Sequence, residues 1–323
     1  MIVDALQCGN FDRAVFEALL SGGAGCVTVT CGFYEGPLET MDIIGKMLDL
    51  VRENSDIVEV ARTADDVRRI SDSGRLAVVL GSQNSDCLGN RINFVELFAA
   101  MGLRVMQLTY NIQNPLATGC YEPNDSGLTT FGREVIAEMN RAGILLDLSH
   151  VGSRSTLDAI KASSMPVAVT HASADSVYKH KRNKSDEILH ALRDTGGVIG
   201  CPTYRHIIGD EVCKSIENWG NMVGRIVDII GIDHVGIGTD LSHNVTEEGY
   251  LWMYKGYHTR FIQFGAPKVP SLKPAEPPAF LKGPGEIGIL KEGLRLTGFN
   301  DEEVEKIASG NWLRVYGQTF MPS

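Results

Sequence analysis

The sequence lacks basic clusters and long hydrophobic runs. Its 323 residues contain 30 Lys and Arg against 40 Asp and Glu, which gives a formal charge of −10 at pH 7. Nucleic acids and anionic membrane surfaces are bound through clustered Lys and Arg, so this composition argues against both as partners. No apolar run reaches the length that spans a bilayer. We therefore expect a small-molecule substrate as the partner.

The N-terminal region also lacks the parts of a secretory signal. The chain begins directly with a strand-like run, MIVDALQ, without a charged n-region, an apolar h-region or a cleavage site. Its seven cysteines form no CxxC pair, which argues against a disulfide framework. We therefore expect a cytoplasmic protein with reduced thiols.

Eight apolar, β-rich runs are present, and helical spacing separates most of them. Parallel strands that are buried on both faces have this continuous apolar character. The runs occupy residues 1–7, 24–31, 75–83, 104–111, 143–150, 166–171, 196–204 and 234–240. The alternation predicts an α/β fold of the (β/α)8 TIM-barrel type. A doubly wound open sheet is the alternative, but no Gly-rich phosphate turn follows the first run.

The length and the 43% hydrophobic content fit a single barrel domain over residues 1–323. Residues 251–285 lack clear periodicity and are rich in aromatic residues and proline. This segment predicts an irregular but ordered loop layer over the barrel mouth. Such a layer would serve as a lid or as a homodimer contact.

Three of the apolar runs end in groups that bind metals or move protons. These groups are Asp147 and His150 in one run, His171 in the next, and Asp240 in the last. The carboxyl ends of barrel strands meet at one mouth, where barrel enzymes carry their active sites. The pattern therefore predicts an enzyme. Asp147 shares a strand face with Ser149 rather than with His150, so we expect a structural role for Asp147.

Seven segments in order resemble the membrane (renal) dipeptidase family of the amidohydrolase superfamily. They cover the chain from about Arg104 to Gly317. The segments are LTYN, GLTTFGREVIAEMNRAGILLDLSHVG, PVAVTHASA, RNKSDE, GGVIG, DHVGIGTDL and GNWLRVYG. The resemblance implies a (β/α)8 barrel with a two-zinc site that hydrolyses small dipeptides.

The resemblance also implies roles for four residues. His150 and His171 match the two histidines that hold the family's second zinc, and neutral imidazole suits that ion. Asp240 matches the aspartate that shuttles a proton from the nucleophilic water. Arg182 matches the arginine that binds the substrate's carboxylate through its planar fork of donors. An ion pair with nearby Asp186 or Glu187 is the alternative for this arginine.

The chain departs from the family at four positions, as a divergent bacterial-type member would. Leu6 and Cys8 stand where the family's first strand has His-x-Asp, and Gln83 stands where it has a metal-bridging glutamate. Tyr110 replaces the histidine that polarises the scissile carbonyl, and a phenol still donates one hydrogen bond. The resemblance therefore implies a reduced site with one zinc rather than two, or with none. Cys8, Gln83 or Asp240 would supply a third ligand besides the two histidines.

Three hypotheses follow for the function. The first is a dipeptidase-like hydrolase with a mononuclear metal site, which cleaves a dipeptide or another small amide that bears a carboxylate. The second is a non-peptidase member of the same superfamily with a different substrate. The third is a homologue that has lost catalysis and binds a small molecule. The retained His150, His171, Arg182 and Asp240 favour the first.

Overall fold

The computed structural model describes residues 1–255 and 275–320, and within them ten strands form one sheet. The strands are β1 (Ile2–Gly9), β2 (Ala24–Thr30), β3 (Val58–Val60), β4 (Leu76–Ser82), β5 (Leu103–Gln107), β6 (Leu145–Asp147), β7 (Ala168–Val169), β8 (Val198–Cys201), β9 (Val235–Ile237) and β10 (Leu241–His243). Eight of them, β1, β2 and β4 to β9, pair in parallel in chain order, and β9 pairs back with β1. The predicted (β/α)8 barrel is confirmed, and each of the eight predicted runs contains one barrel strand.

Helices surround this barrel. They are α1 (Arg13–Ser21), α2 (Pro37–Glu53), α3 (Ala64–Asp72), α4 (Phe94–Met101), α5 (Thr130–Ala142), α6 (Ser153–Ala162), α7 (Asp186–Asp194), α8 (Arg205–Ile208), α9 (Ile216–Ile230), α10 (Glu247–Lys255), α11 (Ile289–Leu296), α12 (Asp301–Glu305) and α13 (Asn311–Thr319). Local sequence sets the bounds of α5, for example. The Thr129 hydroxyl accepts a hydrogen bond from the Gly132 amide, and Gly143 ends the helix in the left-handed region at φ 72°.

Burial explains why the barrel strands read as continuous apolar runs. Every residue of β2 and of β4 is buried, because the barrel interior covers one face and the helices cover the other. Glycine is required where strands come close to the carbonyl of Thr170. A Cβ atom would lie 2.0 Å from this oxygen at Gly200 and 1.7 Å from it at Gly238. These contacts bring the ends of β7, β8 and β9 close together at the mouth.

Two strands and one helix were not expected from the sequence. β3 adds to β4, and β10 adds to β1 directly after Asp240. Helix α10 includes residues 251–255, so the first part of the predicted loop layer is helical. Residues 256–274 of that layer lie outside the described residues, and its role as a lid or homodimer contact stays a prediction.

All seven cysteines are free, as expected for reduced thiols. Among the residues that the structure describes, no helix is both long and apolar enough to cross a membrane.

Candidate active site

A cavity at the carboxyl ends of the barrel strands collects the predicted site residues. Its wall combines six Phe and Tyr rings with six polar or charged side chains. It is lined by Cys8, Phe33, Gln83, Tyr110, Asn111, Tyr121, His150, Arg182, Tyr204, Ile207, Asp240, Ser242, Tyr250, Met253 and Tyr254. His171 contacts the lining residue His150 from behind.

His150 and His171 face each other just after the ends of β6 and β7. Both side chains are buried, with exposed fractions of 6% and 0%. Their Nε2 atoms lie 3.0 Å apart. The predicted pair of histidines is therefore brought together, although α6 and β7 separate the two residues along the chain.

Hydrogen bonds on the far side of each ring fix its tautomer. The Nδ1 atom of His150 lies 2.6 Å from the Oδ1 atom of Asn111, which can only accept. The Nδ1 atom of His171 lies 2.8 Å from the Thr170 hydroxyl oxygen, and this hydroxyl donates its own proton to Asp147 Oδ2 at 2.8 Å. On this pattern, with Asp147 ionised, we assign the proton of each ring to Nδ1, which leaves both Nε2 lone pairs facing each other.

The local charges keep both rings neutral. Burial, with the nearby charges of Arg182 and Lys184, holds the pKa of His150 and the pKa of His171 well below the usual range for histidine. Two facing lone pairs cannot hydrogen-bond to each other, and protonation of either ring is disfavoured here. A cation that binds both nitrogens would resolve this contact.

The donor set fits one metal ion and does not fit two. Two imidazole nitrogens on one tetrahedral zinc ion stand about 3.3 Å apart, close to the separation observed here. Within residues 1–255 and 275–320, however, no group of three or more His, Cys, Asp or Glu side chains is arranged to hold a metal. A third protein ligand would have to be a neutral oxygen.

Gln83 offers such an oxygen. Its Nε2 atom donates to the Thr30 hydroxyl at 3.0 Å, and that hydroxyl donates to the Gln7 carbonyl at 3.0 Å. This relay points the Gln83 Oε1 atom away from Thr30. The Oε1 atom is buried and has no hydrogen-bond partner among the described residues, and the side chain lines the cavity.

Cys8 and Leu6 contribute less to metal binding than the ligands they replace. Leu6 is 3% exposed and has no donor atom in its side chain. Cys8 lines the cavity, but burial and the neighbouring Asp240 raise the pKa of its thiol far above neutrality. The thiolate that binds zinc is therefore disfavoured.

Asp240 lies in the turn between β9 and β10, with its backbone in the left-handed region at φ 60°. Its amide donates to the Leu6 carbonyl at 3.1 Å. Burial raises the pKa of Asp240 to about 7; the charge of Arg182 opposes this shift, and Asp4 and Asp147 add to it. A carboxylate poised near neutral pH is suited to general base catalysis.

Tyr110 packs its ring on His150, with ring centroids 4.1 Å apart. Burial raises the pKa of the Tyr110 phenol well above its usual value, so the hydroxyl keeps its proton and stays a donor. The ring also has edge contacts with Phe33 and Tyr34. This packing holds the phenol in the wall of the cavity.

Arg182 joins the two loops that carry the histidines. Its guanidinium donates to the carbonyl of Ser149 and, at 3.1 Å, to the carbonyl of His171. Within the described part of the chain it forms no ion pair, so the alternative pairing with Asp186 or Glu187 is absent. A guanidinium has five N–H donors, so others are left for a substrate carboxylate.

Sequence reasoning missed several residues that support this site. Asn111, the last residue of the LTYN segment, fixes the His150 ring. Lys184 is 2% exposed, donates to the Val151 carbonyl at 2.8 Å, and has a pKa lowered to about 7 by burial. Asp147, by contrast, has the structural role that its strand face indicates.

Comparison with known proteins identifies relatives of the chain. The family model described as Membrane dipeptidase (Peptidase family M19) matches residues 26–250. An uncharacterized dipeptidase of Schizosaccharomyces pombe is 30% identical over 212 residues, which are 64% of this chain and 50% of that protein. The chain spans about half the length of the curated relatives it matches.

Solved structures share the fold over almost the whole chain. An amidohydrolase from Pseudomonas aeruginosa is 33% identical with a TM-score of 0.92, and the match covers 99% of this chain and 96% of that one. A metallo peptidase from Rhodobacter sphaeroides, liganded with a phosphinate mimic of the dipeptide L-Ala-D-Ala, is 18% identical with a TM-score of 0.80. That match covers 98% of this chain and 99% of the other.

Proposed function

We propose that this protein is a metal-dependent hydrolase of small amides, because the chain belongs to the membrane dipeptidase family (Peptidase family M19). The substrate is a dipeptide or a similar amide that bears a carboxylate. One observation carries the proposal: His150, which lines the cavity with Asp240 and Arg182, and the buried His171 behind it are both neutral, and their Nε2 atoms lie 3.0 Å apart.

One zinc ion would be held by His150 and His171, with Gln83 Oε1 as the third protein donor. The histidines suit the ion because their Nδ1 protons are held by Asn111 and Thr170, which leaves both Nε2 atoms free to bind a cation. A bound zinc ion would supply a Lewis acid for the scissile carbonyl and would lower the pKa of water.

Asp240 would act as the general base and then as the general acid. Its carboxylate takes a proton from the attacking water and returns the proton to the leaving amine nitrogen. Its pKa of about 7 suits both steps near neutral pH. Tyr110 would donate a hydrogen bond from its phenol to the carbonyl oxygen as negative charge develops there.

Arg182 would select substrates with a carboxylate. Its side chain is 3% exposed, lines the cavity, and has no acidic partner in the described residues. The Asp240 carboxylate senses the charge of Arg182, but no carboxylate of the described residues forms an ion pair with the guanidinium, so its remaining donors favour an anionic ligand. The aromatic wall formed by Tyr121, Tyr204 and Tyr254 would cover the rest of the substrate.

A non-peptidase hydrolase is the second candidate, and the altered first strand favours it. Cys8 in the wall and Leu6 behind it are less polar than the His-x-Asp of the family, so the accepted amide would differ from a dipeptide. N-acyl amino acids keep the carboxylate and the scissile amide but have no free ammonium group. They therefore separate the two candidates.

A hydrolysis screen tests the proposal. The zinc-loaded protein would be given L-Ala-D-Ala, other dipeptides and N-acyl amino acids, and the release of free amine would be measured before and after treatment with a chelator. Turnover that a chelator removes and zinc restores is the expected result. Turnover that is insensitive to chelator, or ligand binding without turnover, would contradict a metal-dependent hydrolase.

A further inference from the structure

Two buried aspartates at different places in the barrel share three corresponding hydrogen bonds; each also accepts a fourth, from the Ser149 hydroxyl at Asp147 and from the Gln7 side chain at Asp4. The first is Asp147, at the end of β6. Its Oδ1 atom accepts from the Ser149 amide at 3.0 Å and from the Thr170 amide at 2.9 Å, and its Oδ2 atom accepts from the Thr170 hydroxyl at 2.8 Å. Asp147 pairs with Ala168 of β7, two residues before Thr170. The residue after Thr170 is His171.

The second is Asp4, in the middle of β1. Its Oδ1 atom accepts from the Leu6 amide at 3.3 Å and from the Thr239 amide at 2.8 Å, and its Oδ2 atom accepts from the Thr239 hydroxyl at 2.5 Å. Asp4 pairs with Ile237 of β9, two residues before Thr239. The residue after Thr239 is Asp240. The register and the three bonds therefore match those of Asp147.

The match extends to the residue that follows each threonine. The His171 amide donates to the Ser149 hydroxyl at 3.1 Å, and the Asp240 amide donates to the Leu6 carbonyl at 3.1 Å. Ser149 and Leu6 each stand two residues after their aspartate. In both places, the strand that carries the aspartate therefore holds the backbone of the functional residue on the neighbouring strand.

We propose that Asp4 and Asp147 are positioning residues, each of which fixes a strand-end threonine and, through it, the functional residue that follows. We call these arrangements the Asp4 clamp (Asp4, Thr239) and the Asp147 clamp (Asp147, Thr170). The proposal rests on the proposed function for the roles of His171 and Asp240. The two clamps serve different steps: one orients a metal-binding ring, and the other orients a base.

The Asp147 clamp acts on the His171 ring directly. Because the Thr170 hydroxyl donates to Asp147, its oxygen accepts from His171 Nδ1, and the lone pair of the ring stays on Nε2. Without the carboxylate the hydroxyl could instead donate to Nδ1, which would move the ring proton to Nε2. The clamp therefore selects the tautomer that can bind a cation.

The Asp4 clamp acts on the backbone of Asp240. The left-handed region is uncommon for non-glycine residues, and aspartate, which tolerates it better than most, is stabilised there by surrounding contacts. Thr239 is held by Asp4 through both its amide and its hydroxyl, and Asp240 is held by Leu6. These bonds set the direction in which the Asp240 carboxylate leaves the turn.

Matched valine and serine variants test the clamps. Thr170→Val and Thr239→Val keep the side-chain volume and remove the hydroxyl, whereas Thr170→Ser and Thr239→Ser keep the hydroxyl. Thr319→Val is the control, because Thr319 is equally buried and donates to the Val315 carbonyl on α13, away from the cavity. Thermal unfolding of all five variants shows whether a change in zinc affinity or kcat comes only from a general loss of stability.

Different readouts are expected for the two valine variants. Thr170→Val should weaken the affinity for zinc alone by about 10- to 100-fold, measured by competition with a chromogenic chelator. Thr239→Val should leave zinc affinity unchanged and lower kcat by about 10- to 100-fold with little change in KM, because the base is misplaced. Both serine variants should behave like the wild type. If both valine variants match Thr319→Val in all readouts, the proposal is overturned.

A readout without metal or substrate separates the clamps from the proposed function. In zinc-free protein, ¹⁵N NMR of the histidine rings should show the Nδ1–H tautomer for His171 in the wild type and in Thr170→Ser. In Thr170→Val the tautomer balance should shift, and in Thr239→Val it should not. If the wild-type protein neither binds zinc nor turns over substrate but shows this tautomer pattern, the Asp147 clamp is supported and the proposed function is contradicted. An unchanged His171 tautomer in Thr170→Val would overturn the clamp.

Discussion

The cavity has two sides with opposite chemistry. The histidine side consists of His150 and His171, whose lone pairs are directed into the same space by Asn111 and Thr170. Every polar group behind these rings has a partner that fixes its orientation. This side is preorganised for a cation.

What we call the first-strand side consists of Cys8 on β1 and Gln83 directly after β4, which line the cavity, together with Leu6, which is buried on β1. It presents an apolar side chain, a thiol that burial keeps protonated, and one amide oxygen without a partner among the described residues. No carboxylate is present among these three residues. The difference is one of order and charge: hydrogen bonds fix the two imidazole rings on one side, whereas the other side offers only neutral groups.

Replacement of the base should have the largest effect. Asp240→Asn removes the proton acceptor and should lower kcat by about 1,000-fold, at the level typical for loss of a general base.

The same variant should also change stability. The raised pKa of Asp240 means that its charged form destabilises the fold, so stability falls as pH rises from about 4 through 7. At pH 8, Asp240→Asn should therefore be more stable by about 1–2 kcal/mol. Steady-state kinetics and thermal unfolding at pH 8 check both results, and lower activity together with lower stability would contradict this account.

Arg182→Lys should raise KM by about 10- to 100-fold for substrates with a carboxylate. A lysine keeps the charge but cannot donate to Ser149, to His171 and to a carboxylate with the geometry of the planar fork. Arg193→Lys, at an exposed ion pair with Asp194, is the matched control and should not change KM. An unchanged KM in Arg182→Lys would remove this residue from substrate binding.

The pH dependence of turnover should show a single acidic limb. Asp240 must be ionised to accept a proton, so kcat/KM should fall about tenfold per pH unit below its pKa of about 7. Burial holds the pKa of His150 and the pKa of His171 well below the usual range for histidine, so neither ring adds a limb near pH 7. A profile from pH 5 to 9 checks this, and a flat profile would show that Asp240 is not the base.

Variants of the first-strand side should have the smallest effects on zinc affinity, and two of them distinguish the role of Gln83 from the role of Cys8. Gln83→Leu removes the one available oxygen donor and should weaken zinc affinity by several-fold, up to about tenfold. Cys8→Ala removes a protonated thiol and should change zinc affinity by less than about twofold. Chelator competition on both variants checks this. A larger loss in Cys8→Ala than in Gln83→Leu would make Cys8 the third ligand.

The barrel was predictable because buried parallel strands leave long apolar runs in the sequence. β3 and β10 were missed because neither is a continuous apolar run: β3 has Glu59 at its centre, and β10 contains Ser242 and His243. The loop layer at residues 251–285 was expected to be irregular, but it begins within α10. Its periodicity was obscured by aromatic residues on several faces of a short helix.

The site was predictable only in part. His150, His171 and Asp240 end apolar runs, so their placement at the mouth follows from the fold. The partners that fix them do not: Asn111 lies 39 residues before His150, and Asp4 lies 235 residues before Thr239. Their roles depend on strand register, which determines the residues that face each other across neighbouring strands and is not visible in a single run.

Zinc content per chain is the most direct test of the claim that one side of the cavity binds metal and the other does not. Elemental analysis of the zinc-replete, untagged protein should give about one zinc per chain, and His150→Ala and His171→Ala should each lose it, while Cys8→Ala keeps it. Two zinc ions per chain would show that the first-strand side binds metal despite its neutral groups. No zinc in the wild-type protein would contradict the metal-dependent mechanism.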